Sequence, residues 1–148
     1  MRRWMVALLV VVLVFGLAIP AFATAAANKG VRAKPVFVQH PYTAKQKMKA
    51  GVEFNTWGYV TPKVSDFASK TVEILIYKRT GARTWEQTTT VDATMWNRGR
   101  IRNRTMYSAK VTLSAVGQYR MRAKYTWKAQ DGTLKSRLSS YKYFRIVK

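Results

Sequence analysis

Residues 119–128 hold a strict period of two: Tyr119, Met121, Ala123, Tyr125 and Trp127 alternate with Arg120, Arg122, Lys124, Thr126 and Lys128. In an extended chain this puts every apolar side chain on one face and every polar one on the other. A helix of 3.6 residues per turn would scatter both sets around its axis. The segment is therefore a strand with one buried and one wet face, and the buried face needs a second layer of sheet to cover it.

The rest of the chain supplies that layer. Residues 71–78 are rich in β-branched types and turn Val72, Ile74 and Ile76 inward by the same period. Residues 52–60 alternate as well, with Val52, Phe54 and Thr56 on one face and Glu53, Asn55 and Trp57 on the other, before Thr61-Pro62-Lys63 closes the run. A threonine-rich stretch, residues 84–94, carries Trp85 and Val91 and suits a sheet face open to water. In residues 105–113, Met106 and Tyr107 compete for the core beside Val111 and Leu113, and residues 138–147 close the set. Gly81 and Asp131-Gly132 mark hairpin turns. Pro35 and Pro41 bracket Val36-Phe37-Val38, a short strand that proline restricts to an edge or end. With no helical periodicity after residue 24 and no internal repeat, the expectation is all-β: one antiparallel β-sandwich of about seven strands, with two tryptophans plugging its core.

Several of these segments carry a resemblance. Gly58-Tyr59-Val60-Thr61-Pro62, residues 72–78 with Gly81 and Trp85 in the following hairpin, Tyr107-Ser108-Ala109-Lys110-Val111-Thr112-Leu113, Gly117-Gln118-Tyr119-Arg120-Met121-Arg122-Ala123, and Tyr141-Lys142-Tyr143-Phe144-Arg145-Ile146 together resemble bacterial immunoglobulin-like domains of secreted and cell-surface proteins. The resemblance covers roughly residues 45 to 147. It implies an immunoglobulin-like sandwich used as a spacer or adhesive module, and it brings no site residues with it.

The N-terminus reads as an export signal. Arg2 and Arg3 precede an apolar stretch of 16 residues from Trp4 to Ile19, Pro20 ends it, and small residues place cleavage after Ala23 or Ala27. At about 1.5 Å per residue the stretch is shorter than the roughly 20 residues a spanning helix needs, so no stable transmembrane span is expected after processing. This divides the chain into a signal peptide (1–27), a basic segment (28–47) and the sandwich (48–148). The expected location is secreted or associated with the cell envelope. The chain has no cysteine, so packing alone must hold an exported domain together.

Charge narrows the function. Of 27 basic residues, 25 remain without Arg2 and Arg3, against 6 acidic ones, a formal charge near +19 for the body. Self-repulsion at that charge disfavours the compact state unless an anionic partner relieves it. Catalysis has little to work with: one histidine, His40, no cysteine, and carboxylates Glu53, Asp66, Glu73, Glu86, Asp92 and Asp131 at no metal-ligand spacing. The expectation is a non-enzyme with no cofactor and no metal.

Anion binding has two candidate sets. Arg98, Arg100, Arg102 and Arg104 recur at every second position, so an extended chain would carry all four guanidinium groups on one side, about 6.6 Å apart. Their bidentate geometry suits phosphate, and Trp96 beside them offers a stacking surface. The second set is Arg120, Arg122 and Lys124, which reads equally as the wet face of a sheet. Trp57, Tyr59, Trp85, Trp127, Tyr141 and Tyr143 are further surfaces for sugar rings or bases. The function expected is a non-catalytic binding module for anionic envelope polymers or surfaces, with nucleic acid bound only non-specifically. The alternative is a structural or adhesive module that contacts a protein partner through a sheet edge.

Overall fold

The computed structural model describes residues 36–99 and 103–148, all of them strand, turn or loop, with no helix. The expected signal peptide with its cleavage sites, and Arg100 and Arg102, lie outside the described residues. Ten strand segments follow one another: β1 (Phe37–Val38), β2 (Tyr42–Thr43), β3 (Lys47–Lys49), β4 (Phe54–Thr61), β5 (Lys70–Arg79), β6 (Trp85–Trp96), β7 (Thr105–Val111), β8 (Gly117–Lys128), β9 (Leu134–Leu138) and β10 (Lys142–Val147). They form one curled, hydrogen-bonded path in the order β1-β4-β7-β6-β5-β8-β10-β3, with β2 added to β4 and β9 to β8.

The path bends through β6. Its first part pairs with β5 from Trp85 to Ala93, and its last three residues pair with β7. One arm therefore holds β4 and β7, the other β5, β8 and β10, and their inward side chains share a core. Period two selects them as expected: Val72, Ile74 and Ile76 from β5, and Tyr119, Met121, Ala123 and Tyr125 from β8, are all buried. Phe144 and Ile146 of β10 join them, as do Thr56 and Val60 of β4 and Tyr107, Ala109 and Val111 of β7. The arms touch where the Thr56 hydroxyl, which donates to the Tyr42 carbonyl at 2.9 Å, lies 3.7 Å from Met121 Sδ.

The buried threonine and serine hydroxyls are bonded, as burial demands. Thr105 Oγ1 accepts from the Val64 amide and donates to Asn97 Oδ1, both at 2.7 Å, and Asn97 Nδ2 returns to the Val64 carbonyl at 2.7 Å. Tyr107 donates to the Gln39 carbonyl and Tyr119 to the Ala115 carbonyl. Gly132 takes φ of 83° in the turn after Asp131, the conformation that glycine adopts without steric cost.

Three expectations need correction, and one open choice is settled. Among the described residues the sheet begins at Phe37, so the segment 28–47 contributes β1, β2 and the first residue of β3. Not all neighbours are antiparallel, because β10 runs parallel to β3. Tyr107 takes the core position and leaves Met106 half-buried on the outer face. No tryptophan among the described residues is buried; Tyr107, Tyr119, Tyr125 and Phe144 fill the core instead.

The tryptophan result has a local cause. Pairing of β5 with β6 runs Ile74 to Val91 and Ile76 to Thr89, then Tyr77 to Gln87, so Thr88 is an extra residue. A bulge of one residue exchanges the faces of everything beyond it. Trp85, which has the inward parity of Val91, is thereby delivered to the outer face opposite Arg79. A second extra residue lies between β9 and β10, where Ser139, Ser140 and Tyr141 span two residues of β8. There the Ser139 hydroxyl accepts from the Ala123 amide at 2.9 Å. This shift sends Tyr143 outward beside Arg120 and Phe144 inward beside Tyr119.

Candidate functional site

The two bulges converge on the outer face of β8. Arg120 faces Tyr77 of β5 on one side and Tyr143 of β10 on the other. Its guanidinium carbon lies 4.0 Å from the Tyr141 ring centre, 4.7 Å from Trp85 and 5.4 Å from Tyr77. Arg122 lies 4.8 Å from Tyr141 and 5.5 Å from Tyr77, and its Nη2 donates to the Tyr77 hydroxyl at 3.1 Å. The rings also meet each other edge to face, Tyr77 on Tyr141 at 5.8 Å and Trp85 on Tyr143 at 5.7 Å.

Two like charges two residues apart on one strand repel, and here both rest on the same two tyrosine rings. The negative ring faces offset part of that repulsion, by about 0.5–2 kcal/mol per contact depending on desolvation. Guanidinium suits the arrangement because it is planar and weakly hydrated. Stacking covers its faces and leaves its terminal N–H groups as the bonding surface. The Nε atoms of Arg120 and Arg122 are buried without a hydrogen-bond partner, and no arginine among the described residues has a carboxylate within ion-pair distance.

A hollow of about 490 Å³ adjoins this cluster, lined by Trp85, Tyr143, Lys47, Arg145, Gln46 and Gln118 among others. Arg79 spends its donors beside it, bonding the carbonyls of Gly81 and Ala82 and the Gln118 side-chain oxygen. Gln118 is thus oriented with its carbonyl occupied and its amide N–H₂ group available as a donor. The arrangement offers rings, cationic groups and an amide donor, the equipment for holding an anion attached to something flat.

The other expected site residues are distributed differently. Lys124 leaves the anion-binding set, since its ammonium sits 3.2 Å from the Glu73 carboxylate. Of the expected four-arginine row only Arg98 and Arg104 are among the described residues; Trp96 of β6 pairs with Met106 of β7 in antiparallel sense, and the row falls in the connection between them. Arg98 and Arg104 stand at the two ends of that connection, and Arg104 covers the Tyr59 ring at 4.1 Å. Trp96 is 39% exposed on the outer face of β6. His40 packs against Tyr42 at 4.7 Å, with Nδ1 3.2 Å from the Ser140 hydroxyl. Partial burial, then the charge of Lys142, lower its pKa. Among the described residues no three histidine or carboxylate side chains converge.

Sequence reasoning missed the union of Arg120 and Arg122 with Tyr77, Trp85, Tyr141 and Tyr143. The alternation of β8 announced the arginines, but the aromatic partners depend on the bulges.

Comparison with known proteins adds little. No family model matches the sequence, and no curated protein matches it. Among solved structures, a variant of the superoxide reductase (neelaredoxin) from Ignicoccus hospitalis is similar at 14% identity, covering 74% of this chain and 82% of that one with a TM-score of 0.39. Another structure of that superoxide reductase is similar at 12% identity, covering 76% and 80% with a TM-score of 0.38. Likeness at this level says nothing about activity.

Proposed function

We propose that this chain is a secreted or envelope-associated, non-catalytic module that binds an anionic polymer of the cell envelope through the arginine–aromatic face of β5, β8 and β10. The observation that carries the reading is Arg120, held against three rings with no carboxylate near it. A guanidinium immobilised in this way loses less side-chain entropy on binding than a free one, so its edge is preorganised for a phosphate, sulfate or carboxylate. Teichoic acids and acidic polysaccharides carry such groups at regular intervals.

The scaffold we infer is an immunoglobulin-like sandwich, a finer description than all-β. Its support is the pairing order, with β4 beside β7, β5 beside β8, β8 beside β10, and β10 parallel to the early strand β3. Further support comes from Tyr119, near the start of β8, which bonds the carbonyl four residues upstream at 2.7 Å in the manner of a tyrosine corner. Met121, two residues on, meets Thr56 across the core where the antibody fold carries its disulfide.

The test is binding of the mature domain to immobilised teichoic acid and to a sulfated polysaccharide, at low and high salt, for the parent and for Arg120→Gln with Arg122→Gln. Each phosphate-type contact removed should flatten the slope of log affinity against log salt, in the same sense as the change of about 0.7–0.9 per contact on nucleic acids. Parent-like binding by the double variant at every salt concentration would refute the assignment.

A second reading, docking of a protein strand, draws on β9, whose five residues are all exposed, Leu134 at 75%. An edge contact of that kind would be insensitive to salt and abolished by Ser136→Pro.

A further inference from the structure

The outer face of the other arm carries a second set of aromatic side chains that the polyanion reading does not use. On β4 the inward residues are Thr56, Gly58 and Val60, so Asn55, Trp57 and Tyr59 point outward. On β7 the outward residues are Met106, Ser108 and Lys110. Register then builds the surface in rows: Trp57 lies opposite Ser108, which lies opposite Thr94, and in the next row Met106 lies opposite Trp96. The tryptophans stand on the two strands flanking β7, about 9.6 Å apart across it by strand spacing. They are offset by one row, with Ser108 and Met106 of β7 between them. Both line one hollow of about 750 Å³, together with Asn55, Asp92, Thr94 and Ser108 among others. That volume falls within the range of small-ligand sites.

Two features separate these indoles from the remaining ones. Trp85 carries Arg120 and the edge of Tyr143, and Trp127 stacks on Tyr125 at 5.3 Å. Among the described residues no ring or guanidinium stacks on Trp57 or Trp96. The charge balance also differs from the rest of the molecule. Two of the chain's 6 acidic residues, Glu53 and Asp92, fall on this face. Glu53 holds the ammonium of Lys110 at 3.0 Å, and Asp92 lines the hollow with Arg98. A polyanion gains little here and meets a carboxylate. An uncharged ligand with flat apolar faces and many hydroxyl groups matches the surface, because Asp92, Asn55, Thr94 and Ser108 supply acceptors and donors around the rings.

We propose that this face binds a short run of an uncharged saccharide chain, with Trp57 and Trp96 stacking on sugar-ring faces and Asn55, Asp92, Thr94 and Ser108 bonding the hydroxyls. The module then has two ligand faces, one for charge and one for sugar rings, on opposite arms of the fold.

The test is tryptophan fluorescence and calorimetric titration of the purified domain with a panel of uncharged hexasaccharides: β-1,4-linked glucose, N-acetylglucosamine, xylose and mannose. At least one should bind with little salt dependence. Trp57→Ala and Trp96→Ala should each weaken it by tenfold or more while melting like the parent, and Arg120→Gln with Arg122→Gln should leave it unchanged. Because the two faces are separate, loss of polyanion binding in the arginine variant and loss of saccharide binding in the tryptophan variants report on different readings. The proposal is overturned if no hexasaccharide binds the folded parent, if the tryptophan variants bind it as the parent does, or if the tryptophans prove necessary for an oligothymidylate and for no saccharide.

Discussion

Gly58→Ala tests the core more sharply than any truncation, because it adds one methyl group in a place with no room. Gly58 lies on the inward face of β4, opposite Tyr107 of β7. A Cβ built on it would sit 2.9 Å from Tyr107 Cε1 and closer still to Cζ and the hydroxyl oxygen. The tyrosine has nowhere to go, being fully buried, with its hydroxyl bonded to the Gln39 carbonyl. Alanine in a strand is favoured over glycine on backbone grounds by about 0.5–1 kcal/mol. Against this stand about 1–3 kcal/mol for overpacking and about 1–3 kcal/mol for a buried hydroxyl and carbonyl pulled apart. The clash wins, for a net loss of about 1–5 kcal/mol. At about 4 °C per kcal/mol for a domain of this size, the melting midpoint should fall by about 4–20 °C in a calorimetric scan. Gly58→Ala combined with Tyr107→Leu should be less destabilised than the two single changes added together, since the leucine clears the ring from the site. A Gly58→Ala protein that melts within about 1 °C of the parent would refute the close approach.

Two further outcomes follow from burial. Ile74 is fully buried in β5, so Ile74→Ala should cost about 2–5 kcal/mol in denaturant unfolding, whereas Leu138→Ala on the exposed β9 should change little. Burial pushes the Tyr125 phenol up to about 12 from 10.0, and Tyr107 and Tyr119 upward in the same direction. The folded state therefore keeps protons that the unfolded chain releases, and the stability that Tyr125 contributes is present below pH 10 and lost as pH rises through the interval from 10 to 12. Alkaline unfolding followed by circular dichroism should begin in that interval, and Tyr125→Phe should move its onset upward.

What the sequence disclosed and what it hid divide along a physical line. Alternation in β5 and β8 revealed the inward positions of Val72, Ile74, Ile76, Tyr119, Met121 and Ala123, because each run is continuous and a pleated strand has no other way to segregate its side chains. The same rule misled wherever a residue was inserted. Parity counted back from Val91 sends Trp85 into the core, and only the pairing partner of Thr88 shows otherwise. The candidate site suffers most from this, since the rings around Arg120 come from strands whose faces are exchanged by bulges. The arginines at 98 and 104 illustrate a related limit: a spacing of two has its meaning only in an extended chain, and these two stand in the connection between the paired strands β6 and β7. Lys124 was lost to the site for a third reason, the choice of Glu73 as its cross-strand neighbour, which is set by register between distant segments.

The parallel pairing of β10 with β3 gives the module a mechanical character. An early strand and the last one thus lie side by side, pointing the same way, with further backbone hydrogen bonds from the Ala50 amide to the Val147 carbonyl at 2.8 Å and from the Arg145 amide to the Gln46 carbonyl at 2.9 Å. Tension applied between the two ends pulls such strands past each other along their length, so the bonds share the load in shear and must fail together. An antiparallel hairpin pulled at its open end would unzip one rung at a time. A domain pulled from its two ends would thus resist extension before yielding abruptly.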